Sequence, residues 1–487
     1  MSTTHGMPRR SPTLRRDTDS ADHGGRQRHI VLATMCAGMF LVQLDVTIVN
    51  VALPHIGAGL NTGLSGLQWV VDGYAVVLAG LLLAGGTLGD RYGHKRLVLG
   101  GLAIFGAASV ACALASSAPV LIAARALQGV GAAALLPGTL AVLTRTFPNR
   151  AEQARAVGIW AGVSALALPA GPFVGGVLVT AMGWRSVFWI NVPVVALAII
   201  AAAVVVTESI EREDRPIDAA GVLTAAVVLS ATVFAVIEAG AHGVTVSVMI
   251  AVVVAAAALT GFALAERRAG DDAMVPLALL RSRAFATANT LAAAMNFVGI
   301  GTIFVSTLYL QGVQDRSPLM AAAFMLPLFL PVAVLSPIAG RMNSRWGPIA
   351  PMSIGFGCGI LGGINLLRLT PDSPYLTVLP SLAGIGIGMG MLAAPIVSSA
   401  IRAVDPARSG VASAANNTAR QAAGALGIAV FGALAASPDD ADRFVTGMHV
   451  NGLVAAAVWA AAALLAVGFL RGCALNNPES GSPSKGV

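Results

Sequence analysis

Two acids and two arginines stand where an apolar chain should not tolerate them. Asp45 lies in LVQLDVTIVNVALP, Asp72 in LQWVVDGYAV, Arg125 in LIAARALQGV and Arg420 in NNTARQAAG, each within a stretch of mostly aliphatic and small residues. A bare charge deep in hydrocarbon costs roughly 3 kcal/mol or more, so such residues pair, face water-filled space or exchange protons. A carboxyl that sheds its charge by taking up a proton can carry that proton, and a guanidinium beside it competes for the same oxygens. Asp45 and Arg125 therefore read as a proton-coupling pair, against a hydrogen-bonded structural acid for the one and a permanent ion pair for the other. Asp72 joins them either as a vestibule acid that recruits protons or cations, or as a wetted acid at a helix end. Glu238, at the end of a later span, reads as interfacial. A second polar set, Asn296, Asn416, Asn417, Arg420 and Gln421, falls near mid-span in the later part of the chain. Asn416 and Arg420 are four apart and share a helix face. The set reads as the lining of a substrate or water cavity, or as interhelical glue, with Trp160 an aromatic candidate for the same cavity. An unpaired Arg420 favours anionic or neutral polar ligands and the two acids favour cations; the sequence leaves both open.

Membrane spans are the elements that must position these groups. The 487 residues are 56% hydrophobic and only 11% charged, against about 25% charged in soluble domains, which excludes a string of soluble domains. Apolar runs of about 20 residues predict fourteen helices, near 30–54, 67–88, 97–115, 119–143, 155–180, 187–207, 219–240, 244–265, 285–311, 318–341, 349–369, 375–400, 408–436 and 450–470. The first run is too long for a signal-peptide core and reads as an uncleaved span. With the N-terminus inside, 24 of the 30 Lys and Arg fall on the cytoplasmic side, four outside (Arg185, Arg316, Arg368, Arg443) and two within spans. That bias predicts both termini inside. The net charge of +7 then reflects topology, and no nucleic-acid partner is expected. Cys36, Cys112, Cys358 and Cys473 form no CxxC pair and imply neither metal nor disulfide framework. The sequence carries no Walker A motif, GxSxG or His-rich cluster, so neither a cofactor nor an enzyme is expected.

The chain also repeats itself. GTLGDRYGHKR (Gly86 to Arg96) follows the second span and GRMNSRWGP (Gly340 to Pro348) the tenth, aligned at an offset of 254 residues that pairs Gly86 with Gly340, Arg91 with Arg345 and Gly93 with Gly347. Two six-helix halves with two helices inserted between them fit an alternating-access transporter with its site at the interface of the halves. In the first copy Gly86 and Gly93 permit a tight turn, Asp90 can hold a helix N-terminus or an arginine, and Arg91, Lys95 and Arg96 anchor at the cytoplasmic face. In the fifth span Gly158, Gly162, Gly171 and Gly175 include small-xxx-small spacings for close packing, and Pro169 and Pro172 add a kink.

GTLGDRYGHKR resembles motif A of the major facilitator superfamily. LDVTIVNVALP (Leu44 to Pro54) resembles the helix 1 motif of its fourteen-helix drug:proton antiporter branch, RALQGVGAA (Arg125 to Ala133) motif B, and GIWAGVSALALPAGPFVGG (Gly158 to Gly176) the antiporter motif C. WRSVFWINVP and NNTARQAAGALGIAV are similar to further segments of that branch, and the resemblance spans residues 30–470. Ser344 stands where the family's second-half motif A is acidic, and Ala167 replaces one motif C glycine. The resemblance implies an all-α major facilitator fold, a proton-transfer role for Arg125, and gating roles for Gly86, Asp90, Arg91, Gly93, Lys95 and Arg96 as an inner latch. It implies the same for Gly158, Gly171, Pro172, Gly175 and Gly176 as a seal of the cavity interface.

The expected organisation is a disordered basic tail (1–28), a first six-helix half (29–207), a linker with helices 7 and 8 (208–283), a second half (284–470) and a cytoplasmic C-terminal tail (471–487). The two inserted helices are expected to fill lipid-facing space. The expected function is proton-driven export of lipophilic drugs or antibiotics across a bacterial cytoplasmic membrane, the proton gradient taking the place of a cofactor. Its expected partners are a small lipophilic substrate, protons and the bilayer, with no obligate protein partner. The alternatives are export of one amino acid, siderophore or self-made antibiotic, and a non-transporting membrane sensor.

Overall fold

The computed structural model describes residues 14–208, 218–270, 279, 281–405 and 409–475, with the backbone alone at 14–26, 409 and 469–475. Among the described residues, fourteen helices are long and apolar enough to cross a membrane. They are α1 (Leu14–Leu60), α2 (Leu64–Tyr92), α3 (His94–Ala113), α4 (Ala118–Thr146), α5 (Arg150–Met182), α6 (Ser186–Val205), α7 (Ala219–His242), α8 (Val246–Ala269), α9 (Arg283–Val313), α10 (Pro318–Trp346), α11 (Ile349–Arg368), α12 (Tyr375–Arg402), α13 (Ser409–Ala435) and α14 (Ala441–Leu475). No strand occurs among the described residues. Each expected span falls on one helix, and the helices are the longer where polar caps start them early. The Asn149 side chain accepts from the Ala151 and Glu152 amides at 2.9 and 3.4 Å and opens α5 before its apolar stretch begins.

The tail expected to be disordered is helical from Leu14 onward. No proline interrupts Leu14 to Ile30, and extending an existing helix needs no new nucleus. Residues 1–13 of that tail, 209–217, 271–278 and 280 of the linker and 476–487 of the C-terminal tail lie outside the described residues.

The duplication is written into the packing. In the first half α1 packs on α5, α2 on α4, α3 on α4 and α3 on α6; eight helices later α9 packs on α13, α10 on α12, α11 on α12 and α11 on α14. Gly93 and Gly347, paired by the repeat, cap α2 and α10 with φ of 98° and 77°. Their amides return to the carbonyls of Gly89 and Asn343, the next pair in the repeat. A side chain rarely adopts such φ values, which is why glycine stands at both turns.

The halves meet mainly along two contacts, α2 on α13 and α5 on α10, with α1 touching α9 and α10 between them. The hydrogen bonds between halves, among the described residues, cluster at the end of the bundle that carries Asn61. Gln68 Nε2 donates to the Ile428 and Ala429 carbonyls at 3.1 and 2.9 Å, and Gln311 Nε2 donates to the Val51 carbonyl at 3.0 Å. At the same end Gly176 lets α5 close on α10, where a Cβ would come within 2.8 Å of Leu319 Cα and 3.0 Å of the Pro318 carbonyl. At the opposite end, which carries Gly93, a Cβ on Gly86, Gly158 or Gly162 would meet nothing within 4 Å. The halves are thus joined at the Asn61 end and splayed at the Gly93 end.

The inserted pair divides its work. α8 packs on α7 and turns Met249, Ile250, Val252 and Val253 outward, as a lipid-facing helix would. α7 departs from the expectation: Leu229, Val233 and Ile237 pack with Val76 and Ala79 of α2 and Ala425 and Ala429 of α13. It fills the seam between the halves, because small residues on α2 and α13 leave a groove there. A Cβ on Gly80 would lie 3.0 Å from that of Ala226.

Candidate functional site

Five helices of the first half converge on Asp45. α4 brings Arg125, whose Nη1 donates to Asp45 Oδ2 at 2.5 Å and to Gln128 Oε1 at 2.8 Å, while its Nε donates to the Val70 carbonyl of α2 at 3.1 Å. Gln128 Nε2 and Asn191 Nδ2, from α4 and α6, each lie 3.4 Å from Asp45 Oδ1. Both amides also donate to Ser109 Oγ of α3, at 2.9 and 3.4 Å, and Cys112 Sγ donates to Gln128 Oε1 at 3.3 Å. The guanidinium lies 4.4 Å from the Tyr74 ring centroid and 6.0 Å from that of Phe188, within cation–π reach. Asp45, Arg125, Gln128, Asn191, Ser109 and Cys112 are all fully buried. Two polar atoms in this cluster, Arg125 Nη2 and Asn191 Oδ1, are sealed from solvent without a hydrogen-bond partner.

The sequence named Asp45 and Arg125 and missed the rest. Gln128 carried a signal, three residues beyond Arg125 and on the same face. Asn191 stands inside the WRSVFWINVP segment. Ser109 and Tyr74 carried none, since a lone serine in an apolar helix is ordinarily satisfied by its own backbone and a lone tyrosine is ordinarily part of the core. α1 also runs on to Leu60, so Asp45 lies about 22 Å from that helix end at 1.5 Å per residue, where the expected limit at residue 54 gave about 13 Å.

Asp72 is neither in a vestibule nor at a wetted helix end. It is fully buried, and both its carboxyl oxygens lack a partner among the described residues. Four residues after Gln68 and four before Val76, it lies on the face of α2 that α13 and α7 cover. Glu238 pairs with His242 at 3.2 Å near the end of α7.

In the second half α9 and α13 share two polar rungs. Asn416 Nδ2 donates to Asn289 Oδ1, and Arg420 Nε donates to Asn296 Oδ1, each at 3.3 Å. Asn296 and Asn416 are buried, and Asn417, Arg420 and Gln421 are half-buried. Trp160 lies elsewhere: it packs against the first half's own core, with its indole Nε1 sealed and unbonded.

The gating residues separate by end. Gly171 and Gly175 pack against Thr47 and Ile48 of α1, Gly176 meets α10, and Pro172 lines a small cleft with Thr47, Asn50, Thr307 and Gln311 beneath the closed end. Gly158 is exposed and touches none of these. Around Gly93, Asp90 lies 3.2 Å from His94, Arg91 is exposed, Lys95 Nζ donates to the Ala203 carbonyl at 2.7 Å and Arg96 lies 3.8 Å from Glu208. These contacts tie the α2–α3 turn to the end of α6, within one half.

Two pseudo-symmetric six-helix halves, joined at one end and parted at the other around buried ionisable groups, define a multi-pass membrane transporter. The chain belongs to the Major Facilitator Superfamily, whose family model matches residues 35–428. It is 35% identical over 413 residues to the multidrug resistance protein Stp of Mycobacterium tuberculosis, covering 85% of this chain and 76% of that protein. It is 34% identical to a methylenomycin A resistance protein of Streptomyces coelicolor (86% and 89% covered) and 36% identical to the tetracenomycin C resistance and export protein of Streptomyces glaucescens (83% and 76%). Among solved structures it superposes on a peptide transporter, POT, in complex with sulfate, with a TM-score of 0.65 at 16% identity over 90% of this chain and 94% of that one. That likeness is one of fold.

Proposed function

We propose that the protein is a proton-coupled antiporter that exports lipophilic drugs or antibiotics across a bacterial cytoplasmic membrane by alternating access, with both termini inside. In that orientation the Gly93 end faces the cytoplasm and the structure corresponds to an inward-facing state. The observation that carries the reading is the Asp45–Arg125 pair, sealed within one half and held by five helices. A proton arriving at Asp45 removes its charge and releases Arg125. Asn191 Oδ1, buried and unbonded, can accept the new O–H after a flip of its amide. Asp72, with two unbonded oxygens on the α2–α13 seam, is the second proton-accepting group. A protonated carboxyl there suits the closed seam, and an ionised one favours its opening to water.

The driving force suffices. One proton gains about 2.3 kcal/mol per 100 mV and about 1.4 kcal/mol per pH unit, so roughly 150 mV and half a unit supply about 4 kcal/mol. The test is proton movement in energised inside-out vesicles given a panel of lipophilic compounds. A compound that dissipates the gradient with the wild-type protein and not with Asp45→Asn supports the reading; equal action on both removes Asp45 from the coupling path. A second reading, export of one metabolite or self-made antibiotic, is favoured by relatives named for single antibiotics, methylenomycin A and tetracenomycin C. A panel in which one compound alone responds would select it.

A further inference from the structure

The geometry points to a substrate subsite for an acidic oxygen group at Arg420, a recognition role that rests on the export reading and narrows it to acidic amphiphiles. Arg420 is deep in α13, eleven residues from Ser409 and fifteen from Ala435, or about 16 and 22 Å from the two helix ends. Its Nε is fixed by Asn296 Oδ1 at 3.3 Å, which orients the planar guanidinium and leaves both Nη groups without a partner among the described residues. They are not sealed either, since the side chain is half-buried. Arg125 is the opposite case, fully buried against its carboxylate.

No acid of the second half can neutralise Arg420. Between residues 285 and 470 the acids are Asp315, Asp372, Asp405, Asp439, Asp440 and Asp442. All lie in connections or in the first turn of α14. Of the acids elsewhere in the bundle, Asp45 is engaged by Arg125, Asp72 is enclosed on the α2 face under α13 and α7, and Glu238 of α7 pairs with His242 at the Asn61 end. The sequence left cationic and anionic ligands open because acids and arginine were both present; the tertiary structure withdraws both acids and leaves the guanidinium. Arg420 sits on the Gly93 side of Ala422, the level at which α13 joins the cluster with α2 and α7, and so toward the end at which the halves part. A charge at this depth is costly unless a counter-charge arrives. A planar fork with two free edges matches a carboxylate, sulfonate, phenolate or enolate oxygen pair. Asn416, held to Asn289 one turn away at 3.3 Å, and half-buried Asn417 and Gln421 supply neutral polar contacts beside it.

The test uses the full chain in nanodiscs and in proteoliposomes with three probes: 1-anilinonaphthalene-8-sulfonate, the uncharged N-phenyl-1-naphthylamine of nearly the same skeleton, and tetraphenylphosphonium. Arg420→Gln is expected to lower the anion-to-neutral affinity ratio by about tenfold or more, and Arg420→Lys to restore part of it, because a point charge replaces the fork. Asn296→Asp supplies an internal counter-ion and is expected to shift preference from the anion toward the cation. If Arg420→Gln fails to fold by size exclusion, Asn296→Asp decides alone. An unchanged anion-to-neutral ratio in a folded variant overturns the subsite while leaving the exporter reading intact. If the wild-type protein moves none of the three probes in proteoliposomes, broad export of lipophilic compounds is overturned, and the subsite for acidic amphiphiles with it, in favour of the single-compound reading.

Discussion

Removing either partner of the Asp45–Arg125 pair leaves the other buried, but only one of the two can shed its charge. Asp45→Leu strands a guanidinium that does not deprotonate in proteins, 4.4 Å from the Tyr74 centroid and with no exposed surface. Breaking a buried pair in this way costs about 3–5 kcal/mol. Arg125→Met strands a carboxyl instead, which can draw a proton from solvent, and that step becomes easier by about 1.4 kcal/mol for each pH unit lowered. At pH 7 the two single variants are therefore expected to be comparably unstable, while at pH 5 Arg125→Met recovers by about 2–3 kcal/mol and Asp45→Leu does not. The sign follows from linkage: a carboxyl buried without its counter-charge favours the proton-bound form more in the folded chain than in the unfolded one, so the stability of Arg125→Met rises as pH falls. The double variant buries a neutral pair and is expected within about 2 kcal/mol of wild type, with Gln128 and Asn191 still donating to Ser109. Denaturant titration in mixed micelles, followed by circular dichroism at both pH values, measures the full cycle. Identical pH responses of the two single variants, or a double variant that loses the sum of both, would refute a directly coupled buried ion pair.

Other consequences concern the join between halves and the repeated turns. Gln68→Leu removes two bonds of 3.1 and 2.9 Å across the halves, about 1–2 kcal/mol in all. Spin labels at exposed Gly63 and Asp439 should show the Asn61 end opening more often, and an unchanged distance distribution would count against Gln68 as a clasp. Gly176→Leu drives a side chain into Leu319 and the Pro318 carbonyl, so the same labels should report a wedged-open end and transport should fall by an order of magnitude or more. Alanine at Gly93 or Gly347 meets the same backbone cost, about 1–3 kcal/mol. Only at Gly93 does the new Cβ also press on Glu208, 2.7 Å from its Cδ, so thermal unfolding should show Gly93→Ala the more destabilised of the two.

Much was legible before any fold was in view, for a reason particular to membranes. A chain in hydrocarbon must satisfy its backbone within each segment, so every span announces itself as an apolar run. The fourteen helices, the duplicated turns and the intramembrane charges follow from composition along the chain. Helix ends were less legible, because caps such as Asn149 and uninterrupted propagation into α1 extend helices past the apolar limit.

Sequence by itself thus determined the class of molecule, the number of its spans, its internal repeat and the identities of Asp45, Arg125, Asp72 and Arg420 as residues out of place in hydrocarbon. The tertiary structure alone decided what covers each of them. Periodicity gives the face on which a side chain stands, but not the helix that lies against that face, and the relevant neighbours are far apart in sequence. Arg125 reaches Asp45 across 80 residues and Asn191 across 146, while α13 and α7 close over Asp72. Among the described residues Arg420 finds only the neutral Asn296, 124 residues away, because helix packing carries Asp45 and Asp72 elsewhere.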